Sequence, residues 1–258
     1  MKHIPRHEEI LKILTRLRSV SVQELTNRLN VSEVTIRKDL TILEEMGFVL
    51  RSHGRASLAE DSRTLSTLSK RRSTNIPEKK AIAEKAKTLI KEGDTIFIDT
   101  GTTCMYFAEA VRNMTLRVLT NSLDVMNVLA EEPSISLVSL GGNYRKEAGS
   151  FLGPIPIEAL KNFQIETCFI GATGIQERGI FSSQNIMEAQ MKQQVLSSSG
   201  RRVVLADSSK VGKTAFSVFA RLEDVDVLVT DTGFTGSGAF KKMGVEVLLA
   251  DMNGGADE

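Results

Sequence analysis

The chain has 258 residues, enough for two modest domains, and its 41% hydrophobic and 25% charged residues are ordinary for a folded protein. It lacks an apolar run of about 18 residues, which argues against a transmembrane helix, and an apolar signal region is missing from residues 1–10, so we expect a cytoplasmic protein. The net charge of +1 is unevenly spread. Residues 1–76 hold 14 Lys and Arg against 9 Asp and Glu, whereas residues 77–258 hold 19 against 23. A basic head on an acidic body suits a nucleic-acid-binding module attached to a domain with another task.

Residues 21–47 carry the signals of two consecutive helices. Ser21 is placed to cap the first helix, and Glu24, three residues later, completes the sequence pattern of a capping box. Asn30 suits the left-handed backbone of a short turn, after which Ser32 caps the second helix. Apolar residues at helical spacing predict the buried faces of this pair: Val22, Leu25, Leu29, Ile36, Leu40 and Leu43.

The polar face of the second helix predicts DNA binding. In a helix-turn-helix the first helix braces while the second enters the major groove with polar and cationic side chains. A pair of surface helices with solvated charges would look similar, but residues 48–58 predict two strands around Gly54, and a helix is predicted to begin near Pro5. Together these elements predict a winged helix. Its candidate DNA-binding residues are Ser21, Ser32, Glu33, Thr35, Arg37, Lys38, Arg51 and Arg55.

The remaining chain divides into a linker and a second domain. We predict a DNA-binding domain over residues 1–58, a polar linker over 59–76 and a second domain over 77–258. The linker has room for a short helix. Its basic cluster at residues 70–72 is expected to be solvated, although a cation there could also touch a DNA phosphate.

Short β-branched runs alternate with helical patterns in the second domain. A helix is predicted from Pro77 to a stop at Gly93. Strands are predicted at 95–99, 117–119, 135–140, 168–170, 203–205, 225–229 and 245–249, and helices at 102–111, 123–130 and 185–198. This alternation predicts an α/β fold with a mostly parallel sheet and helices on both faces. Ligands of such sheets bind at the carboxyl ends of the strands.

Small polar residues follow five of these strands, at 99–104, 120–122, 141–145, 171–174 and 207–210. After the first strand, Gly101 permits a tight turn, and Thr102 and Thr103 open a helix whose N-terminus suits an anion. One such loop is most often a plain turn. Five of them, with Arg145 and Lys210 among them, favour a pocket for a small anionic ligand.

The sequence of residues 77–258 gives little indication of histidine- or cysteine-based catalysis or of a metal site. All three histidines precede residue 54, which excludes a histidine relay or a histidine-ligated metal from residues 77–258. Cys104 and Cys168 lack metal-type spacing and are expected to be buried thiols. We therefore predict no metal site and no cofactor.

The chain resembles the deoxyribonucleoside-repressor (DeoR) family of bacterial transcription regulators over nearly its whole length. The resemblance rests on VSEVTIRKDL in the head and on IDTGTT, LTNSLDV, GGNYR, FIGATGI, MEAQMK and ADSSKVGK in the body. It implies a repressor-type regulator whose C-terminal domain senses a phosphorylated sugar or a related metabolite. The family's wing usually has Gly-Gly where this chain has Gly54-Arg55, which places one more cation beside DNA.

The body also looks like ribose-5-phosphate isomerase. By that resemblance, residues 99–103 fall on a phosphate loop, Lys79 and Lys210 on lysines near the phosphate, and Glu188 near a catalytic glutamate. The isomerase's pair of catalytic aspartates falls on residues 171–174, where this chain has no carboxylate, so we predict binding without turnover. The candidate ligand-binding residues are Lys79, Asp99, Gly101, Thr102, Thr103, Asn121, Arg145, Glu188 and Lys210.

The predicted protein is thus a repressor of a sugar-metabolism operon rather than an enzyme. Its expected partners are double-stranded operator DNA, a phosphorylated sugar effector and further copies of itself in a homo-oligomer (a dimer or a tetramer), with no membrane. Two alternatives stay open from the sequence: a sugar-phosphate isomerase with a DNA-binding appendage, and a body that serves mainly for oligomerisation.

Overall fold

The computed structural model describes residues 4–17, 19–45, 49–52, 54–58 and 71–251. The chain forms two compact units, a head of residues 1–70 and a body of residues 71–258. His53 and residues 59–70, which belong to the predicted linker, lie outside the described residues. No helix in the described part of the chain is both long and apolar enough to span a bilayer.

The head is a winged helix, as predicted. Its elements are α1 (Ile4–Leu17), β1 (Ser19–Ser21), α2 (Val22–Leu29), α3 (Glu33–Glu45), β2 (Val49–Ser52) and β3 (Arg55–Leu58). The strands form an antiparallel sheet in the order β1-β3-β2, and β1 was not predicted. Apolar side chains of all three helices and of the sheet form one buried core: Ile10, Leu14, Val20, Val22, Leu25, Ile36, Leu40, Leu43, Val49 and Ala56.

The predicted caps of the helix pair are confirmed. Ser21 Oγ accepts a hydrogen bond from the Glu24 backbone N–H at 3.1 Å, and Ser32 Oγ accepts one from the Thr35 backbone N–H at 3.3 Å. Asn30 ends α2 in the left-handed conformation, with φ of 51°. Each cap satisfies a backbone donor that has no partner within its helix, which is why these residue types stand at these positions.

A seven-stranded parallel sheet organises the body. Its spatial order is β15-β14-β12-β9-β4-β5-β6. The strands are β4 (Thr95–Ile98), β5 (Leu116–Thr120), β6 (Ile135–Ser139), β9 (Ile165–Gly171), β12 (Ser199–Leu205), β14 (Val227–Asp231) and β15 (Glu246–Ala250). Alternate residues point to opposite faces, so Ile96 and Ile98 enter one core and Phe97 enters the other. Both faces are therefore buried, as the continuous apolar runs predicted.

Helices cover both faces of this sheet. The core that contains Ile96 is closed by α4 (Ile76–Lys87), α5 (Thr102–Val111) and α6 (Leu123–Leu129). The core that contains Phe97 is closed by α7 (Pro154–Leu160), α8 (Ile186–Ser197) and α9 (Ser237–Lys242). Cys104 and Cys168 are fully buried free thiols, as expected, and burial raises the pKa of Cys168 to about 12.

Several short elements near the carboxyl ends of the strands were not predicted. A hairpin joins β7 (Asn143–Arg145) to β8 (Ser150–Leu152). A small antiparallel sheet contains β10 (Gly174–Ile175), β11 (Ile180–Ser183) and β13 (Ser217–Arg221). Strands of two to five residues show little hydrophobic periodicity, which explains why sequence patterns did not reveal them.

Candidate functional site

The exposed face of α3 carries the candidate DNA-reading side chains. Glu33, Arg37 and Lys38 are exposed, while the Thr35 hydroxyl lies 2.8 Å from Ser32 Oγ. Arg37 Nη2 donates a hydrogen bond to Glu33 Oε1 at 2.6 Å. In this structure Arg37 is thus paired within its own helix, and it would have to exchange that carboxylate for a DNA group on binding.

The wing arginines are tied to neighbouring elements of the head. Arg51 Nη1 donates to the Thr41 hydroxyl at 2.7 Å, and it lies 3.8 Å from a carboxylate oxygen of Glu44. Arg55 donates to the hydroxyl and the carbonyl of Ser19, both at 3.1 Å. Gly54 takes a φ of +76° in the turn between the strands, a conformation that favours glycine. These contacts fix the wing against α3 and β1.

A buried carboxylate that sequence reasoning missed braces α3 against α1. Asp39 is 1% exposed and accepts hydrogen bonds from Arg6 Nη2 at 2.9 Å and His7 Nε2 at 3.1 Å. Burial of the carboxyl disfavours ionisation, but the bonds from Arg6 and His7 outweigh it, so the pKa of Asp39 is lowered. The signal in the sequence was an acidic residue, Asp39, within an amphipathic helix.

In the body, the five polar loops meet at one edge. They follow β12, β9, β4, β5 and β6, which are adjacent in the sheet and parallel, and we call this the strand-end edge. At its centre Gly101 precedes α5 with φ of +115°, and it provides no side-chain cap. Thr102 and Thr103 begin the helix and are largely buried. The first backbone N–H groups of α5 are therefore left for another acceptor.

A buried ion pair lies beneath this edge. Lys192 of α8 is 5% exposed and donates to the Asp99 carboxylate and, at 2.5 Å, to the carbonyl oxygen of Gly171. Asp99 also accepts the backbone N–H of Gly171 at 3.1 Å. The pair thus connects the ends of β4 and β9 to α8. Sequence reasoning named Asp99 but missed Lys192, although a lysine on the face of α8 that carries Ala189 and Val195 was a signal.

Three cations, which we call the cation cluster, gather beside the same edge: Arg71, Lys79 and Lys210. The pKa values of all three are lowered, mainly by burial. Asp207 favours the charged forms of Lys79 and Lys210, whereas Arg71 disfavours both. Lys79 Nζ donates to the backbone carbonyls of Arg71 and Thr74, so it also fixes the first residues of the body.

The expectation that the basic residues at 70–72 are solvated is wrong for Arg71, whereas Arg72 is exposed to solvent, as expected, and also forms an ion pair. Arg71 is half-buried and donates to the carbonyl oxygen of Glu147 at 3.4 Å. Arg72 pairs with Asp124 in the first turn of α6, Nη2 to Oδ1 at 2.5 Å. Sequence position suggested a linker, but these contacts bind both residues to the body.

The other predicted ligand residues, Glu188, Arg145 and Asn121, differ in burial and in the groups that they contact. Glu188 is half-buried, and burial raises its pKa against the opposing charges of Lys192 and Arg145. Arg145 Nε lies 3.3 Å from a carboxylate oxygen of Glu147. Asn121 is 1% exposed and donates from Nδ2 to the Phe151 carbonyl at 3.3 Å. The structure therefore brings Glu188 and Arg145 near the edge, and it turns the amide donor of Asn121 to the backbone of β8.

A winged helix joined to an α/β body with a cationic strand-end edge defines a DNA-binding transcription regulator with a separate sensor domain. Residues 6–62 match the model of the DeoR-like helix-turn-helix domain, and residues 74–232 match that of the DeoR C terminal sensor domain. The chain belongs to the DeoR family, and it is a regulator rather than an enzyme.

Several known proteins are similar over most of the chain. One is the uncharacterized HTH-type transcriptional regulator YulB of Bacillus subtilis, 35% identical, with 88% of each chain covered. Another is the lactose phosphotransferase system repressor of Streptococcus mutans, 35% identical over 90% of this chain and 93% of that protein. A third is the transcriptional repressor GlcR of Bacillus subtilis, 31% identical over 96% of both. Among solved structures, ribose 5-phosphate isomerase A of Methanocaldococcus jannaschii matches 52% of this chain and 53% of its own, with 21% identity and a TM-score of 0.39.

Proposed function

We propose that this protein represses genes of sugar metabolism and that its body binds a phosphorylated sugar without converting it. The relative named as the lactose phosphotransferase system repressor supports the first half. The observation that carries the second half is that the cation cluster and the uncapped N-terminus of α5 lie at the same strand-end edge. Both features attract anions, and a phosphate group uses both.

In the proposed complex, the backbone N–H groups of residues 101–103 and the hydroxyls of Thr102 and Thr103 hold the phosphate. Lys210 and Arg71 supply positive charge, while Lys79 supports Arg71 through the carbonyl bond already described. Absence of turnover is supported by the loop at residues 171–174, which contains no carboxylate, and by Asp99, whose carboxylate is committed to Lys192. Glu188 and Arg145 are proposed to contact the sugar portion.

In the head, α3 is proposed to enter the major groove. Glu33, Thr35, Arg37 and Lys38 face the DNA there, and Ser21, Ser32, Arg51 and Arg55 contact the backbone around it. A helix-turn-helix gains affinity by reading repeated half-sites, so we also propose that the protein works as a homo-oligomer with two or more heads.

The ligand half is tested with the full chain and a DNA duplex selected from a random pool by the same chain. Its affinity is measured with inorganic phosphate, a panel of sugar phosphates, or no addition. We expect at least one sugar phosphate to change the affinity, and Lys210→Ala to remove that change while leaving affinity without ligand near normal. The matched control is Lys91→Ala, an exposed lysine between α4 and β4. An unchanged affinity across the whole panel would contradict the proposal.

The DNA half is tested on the same duplex. Lys38→Ala or Arg37→Ala should weaken binding by about 1–3 kcal/mol if the lost contact is to a base. A contact to a phosphate would instead lower the slope of affinity against salt concentration. Normal binding by both variants at every salt concentration would show that α3 does not face the groove as proposed.

A further inference from the structure

Val34 is an apolar side chain on the exposed side of α3. It is 74% exposed, whereas Ile36, Leu40 and Leu43 of the same helix are at most 2% exposed and belong to the core of the head. Val34 and Leu43 are nine residues apart, about two and a half helical turns, so their side chains leave opposite sides of the helix. Core packing therefore gives no reason for a valine at this position.

Helix formation gives no reason for this valine either. Valine has a lower helix propensity than alanine or the long polar residues, because its branched Cβ restricts the side chain in a helix. A single exposed apolar residue is ordinary on a protein surface. Val34, however, lies in the first turn of the helix that is proposed to enter the major groove, and that is the part of such a helix that contacts base edges.

The surroundings of Val34 suit an apolar contact inside a polar interface. Arg37 and Lys38 follow it by three and four residues, so these two exposed cations lie on the same side of α3. Cations of this kind bind base acceptors or phosphates. A valine offers no hydrogen bond, and the group in the major groove that suits it is the C5-methyl group of thymine.

We propose that Val34 reads a thymine in each half-site of the operator through the thymine C5-methyl group. Contact between the valine methyl groups and the thymine methyl removes apolar surface of both from water. A cytosine at the same position would place its N4 amino group against the valine, where the hydrogen bond of that group to water would be lost. Val34 thus favours thymine by an attraction and disfavours cytosine by a penalty. The inference rests on the proposed function, since α3 must lie in the major groove.

The test uses the full chain, the duplex selected from a random pool, and versions of that duplex in which deoxyuridine replaces one thymine at a time. Uracil pairs with adenine as thymine does and lacks only the C5-methyl group. We expect one uracil position in each half-site to lower the affinity about fourfold, the effect of exposing one CH₂-sized group to water. Val34→Ala should lose about fourfold for each half-site bound, and it should bind the uracil and thymine duplexes equally, because the contact is already absent.

Two features of the design separate a lost contact from a damaged fold. Alanine has a higher helix propensity than valine, so a weakened α3 would not explain a loss of affinity in Val34→Ala. The matched control is Val218→Ala, which removes the same atoms from a valine of the body that is 43% exposed. It should bind every duplex as the unchanged chain does.

The possible results also separate this inference from the proposed function. Equal affinity of the unchanged chain for the thymine duplex and every uracil duplex would overturn the thymine contact, and the proposed function would stand if Arg37→Ala or Lys38→Ala weakened binding. Failure of the chain to enrich any duplex from the pool would overturn the proposed function and this inference with it. If Val34→Ala changed the oligomeric state in sedimentation without DNA and kept the full uracil effect, Val34 would belong to an interface between copies, and the thymine contact would be wrong.

Discussion

The buried pair of Asp99 and Lys192 gives the most direct test of how the site is built. The substitution Lys192→Met largely keeps the aliphatic volume of the side chain. The Asp99 carboxylate, which is 1% exposed, then loses Lys192, its only ion-pair partner among the residues that the structure describes. Breaking a buried pair by removing one partner costs about 3–5 kcal/mol, because an uncompensated charge stays in the interior. For a unit the size of the body, this corresponds to a fall of roughly 6–20 °C in melting temperature.

Calorimetric melting of the full chain measures this loss. The body gives the larger transition because unfolding enthalpy scales with the number of residues. Lys161→Met is the matched control, since Lys161 pairs with Glu158 at 2.6 Å on the surface, where such pairs contribute about 0–1 kcal/mol. The double variant Asp99→Asn with Lys192→Met should recover about 1–3 kcal/mol relative to the sum of the single changes. A loss at Lys192 no larger than that of the control, or strict additivity, would refute the reasoning.

Three further changes test other parts of the structure. Asp39→Ala should destabilise the head by about 1.5–3 kcal/mol. Because the folded pKa of Asp39 is lowered, the stability that this carboxylate contributes is present above its unfolded pKa and is lost as pH falls through its folded pKa. Melting followed by circular dichroism at several pH values measures this loss. Because burial raises the pKa of Glu188, the body should lose stability as pH rises towards that folded pKa, and Glu188→Gln should flatten this pH profile of the melting temperature. Gly174→Ala should cost about 1–3 kcal/mol in urea unfolding, because its Cβ would meet the Lys213 carbonyl at 2.5 Å, whereas Gly238→Ala, with nothing within 4 Å, should cost nothing.

Sequence patterns predicted the features that local chemistry determines. The caps at Ser21 and Ser32 and the turn at Asn30 depend on residues within four positions, and all three are confirmed. The convergence of the polar loops follows from parallel strands, since their carboxyl ends share one edge. These inferences needed no knowledge of long-range contacts.

The missed residues depend on contacts between distant parts of the chain. Lys192 meets Asp99 across 93 residues, and Arg6 meets Asp39 across 33. Arg71 lies in a polar stretch, and its contact with Glu147, 76 residues later, is one that the sequence pattern does not reveal. The sequence alone does not show which residue a single charged side chain will pair with. A buried charge with a partner and a charge exposed to solvent therefore look the same in the sequence.

The charge balance at the strand-end edge explains why an acidic body can attract an anion. The body, residues 71–258, holds 21 basic and 23 acidic residues, and three of the carboxylates near the edge are those of Asp99, Glu188 and Asp207. Asp99 is paired with Lys192, burial raises the pKa of Glu188, and Asp207 favours the charged forms of Lys79 and Lys210. The cation cluster and the N–H groups at the start of α5 both contribute positive potential at this edge. Because these charges are partly buried, salt screens them less than surface charges, and the attraction is concentrated at the one edge where the polar loops also converge.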